Sequence, residues 1–115
     1  LQMVLENMVT VEETLNADSP DFLAGTQLDQ PGVAGVYTIW GASTAGDTAI
    51  SITLGGRTLT NAAILTLRAN SEIRENEDVF FQALSRTGGR PVINVNVVTA
   101  ATVRIRVKFI PASAI

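Results

Sequence analysis

The 115-residue chain has no cysteine and no histidine. Without cysteine there is no disulfide staple and no thiolate nucleophile. Without histidine the commonest general base and the commonest metal ligand are both missing. Lysine occurs once, as Lys108, so a Ser-Lys pair has one possible base. Charge is scarce too. Charged residues make up 17% of the chain against about 25% in typical domains. A small domain this short of charge is either mostly core or has part of its surface covered. No apolar run approaches the roughly 20 residues of a membrane helix. Nothing reads as a signal peptide, and no Asn-X-Ser/Thr sequon occurs.

What charge there is divides unevenly. Residues 1–56 carry seven acids (Glu6, Glu12, Glu13, Asp18, Asp21, Asp29, Asp47) and no base, a net −7. Residues 57–115 carry eight bases and four acids, a net +4. Such asymmetry points to interaction, with the halves pairing within one chain or between chains.

The chain is rich in strand patterns. TVRIRVKF (102–109) alternates without a slip: Val103, Ile105, Val107 and Phe109 on one face, Arg104, Arg106 and Lys108 on the other. Val92–Val98 alternates likewise, with Asn94 and Asn96 polar. A three-residue turn at Thr99–Ala101 would pair these runs, Val95 against Ile105, Asn96 against Arg104 and Asn94 against Arg106. Further strands are expected at Met8–Leu15, Val36–Trp40, Thr48–Leu54, Ile64–Arg68 and Val79–Leu84. Gly55-Gly56 marks a two-residue hairpin that would set Ile52 opposite Leu59. Gly88-Gly89 reads as a second Gly-Gly turn. Asn16–Gly35, punctuated by Pro20, Gly25, Pro31 and Gly32, is a long connection with room for a short helix after Ser19. The predicted fold is all-β: an antiparallel sandwich or barrel, jelly-roll-like, of seven or eight short strands. One domain is expected, with residues 1–15 as an apolar N-terminal arm and first strand and 16–115 as the sandwich.

Few residues invite catalysis. Glu72, Glu75, Glu77 and Asp78 could supply paired carboxylates, but they sit in a polar connection where burial cannot tune them. Glu75–Asp78 and Asp18–Asp21 offer oxygen ligands without the spacing of a calcium loop. Both Gly-Gly-Arg stretches lack the pattern of a phosphate loop. The basic face of Arg104, Arg106 and Lys108 lacks interleaved aromatics in a net acidic domain, which disfavours nucleic acid. Tyr37 and Trp40, three apart on one strand, fall on opposite faces, so at most one could serve as a sugar platform. No enzyme, cofactor or metal is expected.

The segment STAGDTAISITLGGRTL (43–59), with the Gly-Gly-Arg-Pro turn and the ending TAATVRIRVKFIP (99–111), resembles the small decoration, or cement, proteins of tailed bacteriophage capsids. The likeness spans residues 33–111 and lies in short Ala-, Thr-, Gly- and Val-rich strands, with no motif to carry a functional residue across. It implies a structural virion protein on the outer capsid surface, a homo-oligomer, expected to be a trimer, that binds the major capsid protein and has no membrane partner. The expected interface comprises Leu1, Val4, Leu5 and Met8 of the arm and Asn94, Asn96, Arg104, Arg106 and Lys108. The alternative is a carbohydrate- or receptor-binding β module.

Overall fold

The computed structural model describes residues 8–29, 32–69, 73–75, 79–86 and 88–112. Their strands, in chain order, are β1 (Val9–Leu15), β2 (Gly35–Ser43), β3 (Ala49–Leu54), β4 (Arg57–Ile64), β5 (Thr66–Leu67), β6 (Val79–Ser85), β7 (Val92–Asn96) and β8 (Val103–Pro111). They form two sheets, so the sandwich expectation is realised. The larger sheet runs β1-β8-β2, and the far side of β2 is shared by β6 and the short parallel β5. The smaller is β4-β3-β7.

Period-2 alternation fixes what lies between them. Val103, Ile105, Val107 and Phe109 of β8 point inward, as do Tyr37 and Ile39 of β2 and Val9 and Val11 of β1. Ile50 and Ile52 of β3 and Ile93 and Val95 of β7 meet them from the other sheet. The Tyr37 and Phe109 rings pack with centroids 4.7 Å apart. Gly35, at the start of β2, lies so close to β8 that a Cβ there would come 2.5 Å from the Ile110 carbonyl oxygen and the Phe109 ring.

The expected hairpin of residues 92–109 does not form. β7 pairs with β3, setting Asn94 opposite Ser51 and Asn96 opposite Ala49. β8 pairs with β1 and β2, setting Arg104 opposite Thr14 and Ala42, and Arg106 opposite Glu12 and Trp40. Residues 97–102 cross from one sheet to the other. The β2–β3 connection crosses beside them: Thr44 N–H donates to the Thr102 carbonyl, and Thr102 N–H to Thr44 Oγ1. Both strands have one apolar face, and a sandwich satisfies that by putting them in opposite sheets.

Smaller corrections follow the same physics. The Gly55-Gly56 turn forms with φ of 60° and 81°, both positive as a tight hairpin requires. Irregularities around Ile52 then shift the register, so Ile52 faces Thr60 rather than Leu59. The Gly88-Gly89 stretch joins strands of different sheets and is no hairpin. Its Gly88 (φ 83°) packs against the Gly32 backbone. The strand expected at Ile64–Arg68 is split between the end of β4 and β5. After Ser19 the chain makes successive i→i+3 turns instead of a helix: Asp21 accepts from Ala24, Leu23 from Thr26 and Thr26 from Asp29. These turns bury Phe22, Leu23 and Leu28 in the main core.

Candidate interaction surfaces

The basic residues of β8 face outward from the larger sheet but do not stand bare. Arg106 Nε donates to Glu12 Oε1 at 2.6 Å, and its Nη1 to Glu75 Oε2 at 2.7 Å. The bond to Glu12 leads in holding the Arg106 guanidinium above its ordinary pKa. Arg104 Nε lies 3.8 Å from Glu12 Oε2, too far for a hydrogen bond. Lys108 Nζ is 3.7 Å from Glu75 Oε1 and 5.3 Å from the Trp40 ring centroid. β1 supplies Glu12 because it lies alongside β8; the segment 73–75 supplies Glu75 from above. This sheet face therefore carries an internal ion network.

The same segment hides Trp40. Ile73 packs on Trp40 and Ala42 in a small second cluster, and the indole N–H donates to the Glu75 carbonyl at 3.0 Å. Trp40 is 5% exposed and Tyr37 fully buried. The two rings occupy opposite faces, as the spacing predicts, and both are covered, so neither offers a sugar platform. Burial pushes the Tyr37 hydroxyl up to about 12, and its oxygen has no hydrogen-bond partner among the described residues.

The remaining carboxylates are largely structural. Arg90 forks onto Asp21, with Nη1 on Oδ1 and Nη2 on Oδ2, the latter at 2.9 Å, while Nε donates to the Asp29 carbonyl at 2.8 Å. That fork holds the Asp21 carboxyl below its usual range. Asp18 Oδ1 accepts from Val97 N–H at 2.7 Å. The Asp18–Asp21 oxygens are thus spent on fastening the 16–29 segment. Among the described residues no three carboxylates gather to hold a metal ion. Acidic and basic halves do meet within one chain, at Glu12–Arg106 and Asp21–Arg90.

The predicted interface residues scatter. Asn94 and Asn96 are exposed on the smaller sheet, Arg104, Arg106 and Lys108 half-buried on the larger, and Met8 exposed before β1. Leu1, Val4 and Leu5 lie outside the described residues.

A surface the sequence reading passed over lies along β4, β5 and β6. Ile64, Leu67 and Leu84 are exposed there. Between the β3–β4 hairpin and β6 runs a groove of about 430 Å³, lined by Leu54, Leu59, Phe81 and Leu84, with Arg57 and Arg86 among its polar residues. The available signal was VFFQALS (79–85), seven residues with neither the charge nor the proline that guards an exposed edge strand. Comparison with protein-family models, curated proteins and solved structures returns no match.

Proposed function

We propose that the chain is a non-enzymatic structural subunit, a capsid decoration protein that self-associates and binds a shell of major capsid protein on its outer surface. The observation that carries the reading is the open β4–β6 flank. It presents exposed Leu84 at a groove lined by Leu54, Leu59 and Phe81, with Ile64 and Leu67 exposed toward the other end of the same flank, on a domain already short of charge. Exposed large apolar side chains gathered on one flank mark interaction sites. The resemblance of 43–59 and 99–111 to phage decoration proteins supplies the class of partner. Met8, Asn94 and Asn96 are exposed for further contacts, whereas the β8 cations are already engaged with Glu12 and Glu75. The trimer expected from the resemblance rests on that resemblance alone.

The test is cosedimentation of the purified chain with assembled shells of the source virus. Pelleting that saturates at a fixed ratio to shell subunits supports the reading. A chain that stays in the supernatant at every ratio overturns it.

A further inference from the structure

A strand edge offers unpaired N–H and C=O groups to any passing strand, and natural sheets guard against this. Three edges here are guarded. β1 carries Glu12 and Glu13. β7 is covered by the 18–22 segment, where Ser19 exchanges two backbone hydrogen bonds with Val95 and Phe22 donates to Ile93. β4 is made irregular by two register shifts and by Ala62 at φ 53°. β6 is different. Among the described residues it pairs with β2 alone. Its seven residues contain no charge, proline or glycine. Leu84, pointing away from the core, is 49% exposed.

The sequence around β6 indicates its occupant. Two acids, Glu77 and Asp78, precede the strand and Arg86 follows it. Arg86 has no ion pair among the described residues. Antiparallel pairing of two copies brings the arginine of one toward the acids of the other; parallel pairing would bring like charges together. Centred on Gln82, the antiparallel register sets Phe81 opposite Ala83, Leu84 opposite Phe80 and Ser85 opposite Val79. This register also sets position 86 of one copy opposite position 78 of the other, an arginine facing an aspartate in the sequence. A slip of one residue would bring opposite faces together.

We propose that β6 pairs antiparallel with β6 of a second copy about a two-fold axis at Gln82, joining two five-stranded sheets into one. Such a contact is isologous and closes on itself, which removes the open edge from both copies. It deepens the assembly reading by naming the partner of this flank. Its test needs no shell, so failure here and failure to bind shells are separate results.

Because the chain has no cysteine, Gln82→Cys places a single thiol on the axis. Opposed Cα atoms in an antiparallel pair lie about 4.5–5.5 Å apart, within the span a disulfide bridges. Under mild oxidation this variant is expected to form a covalent dimer at least about tenfold faster than Thr10→Cys, an exposed position on the guarded β1 edge. By light scattering the unmodified chain should have twice its 12.2 kDa mass at tens of micromolar. Gln82→Lys, which opposes two like charges, should be monomeric. A monomeric or trimeric unmodified chain overturns the proposal. So does cross-linking of Gln82→Cys no faster than that of Thr10→Cys.

Discussion

Replacing Arg90 by alanine removes the fork onto Asp21 and the bond to the Asp29 carbonyl in one step. The cost is bounded on both sides. Breaking a fully buried ion pair costs about 3–5 kcal/mol; breaking a solvent-exposed one costs about 0–1 kcal/mol. The Arg90 and Asp21 side chains are 19% and 31% exposed, between these limits. A loss of about 2–3 kcal/mol follows, since three charge-assisted bonds go at once. For a chain of this length about 4 °C of melting temperature corresponds to each kcal/mol, so Tm should fall by about 8–12 °C. The variant should still fold, because Leu23 and Leu28 are fully buried and fasten the same segment. Arg90→Lys keeps the charge but not the fork, and should lose about half as much. The pH dependence has a definite sign. Asp21 is depressed in the folded state below its ordinary 3.8, so its stabilisation is full above that value and fades as pH falls through the folded pKa. Thermal melts by circular dichroism from pH 7 to pH 2 should give a constant gap between wild type and Arg90→Ala above about pH 4, narrowing below it. A gap under 2 °C at pH 7, or one that stays constant down to pH 2, would refute the reasoning.

Other residues give independent tests. Tyr37→Phe should be neutral or stabilising by about 1 kcal/mol in denaturant unfolding, because the buried hydroxyl has no partner among the described residues; a loss above 1 kcal/mol would mean the oxygen is bonded. Gly35→Ala should destabilise by about 1–3 kcal/mol, since the added methyl meets a backbone carbonyl and a packed ring. Glu75→Ala cuts the side-chain ties of segment 73–75 to Arg106 and Lys108. The single tryptophan should then emit further to the red, and an unchanged spectrum would show that Ile73 and the Trp40–Glu75 backbone bond suffice to cover it. Glu12→Gln should cost no more than about 1 kcal/mol, because the amide oxygen can still accept from Arg106, which also keeps its bond to Glu75.

Alternation made the inward faces of β3, β7 and β8 legible, down to Ile50, Ile93 and Ile105. It could not choose partners. Asn94-Val95-Asn96 and Arg104-Ile105-Arg106 match in polarity, so the hairpin register looked self-consistent while either strand could equally face any apolar-sided neighbour. What separates them is tertiary: Thr44 and Thr102 bond at a corner where two connections cross together, and no local pattern encodes a meeting of residues 58 apart. The ion pairs were legible only as a charge imbalance. That Arg106 would meet Glu12 follows from β1 lying beside β8, a contact between nearly opposite ends of the chain. The Ile52 register failed for a more local reason, since irregularities within β3–β4 displace the count set by a well-formed turn.

β8 follows every other strand among the described residues, yet it lies between β1 and β2 in the larger sheet. On a ribosome this order matters. β1 and β2 emerge early, but the lane that joins them stays empty until residues 103–111 have left the exit tunnel. Until then the inward faces of Val9, Val11, Tyr37 and Ile39 lack the four β8 side chains that complete their layer. The nascent chain therefore holds these apolar faces uncovered from the emergence of β2 until that of β8, and the layer closes only then. A stalled or truncated chain lacking β8 would keep β2 beside β6 and β5 but leave β1 without a neighbour and the inward face of β2 half covered, which makes it a client for chaperones and proteases.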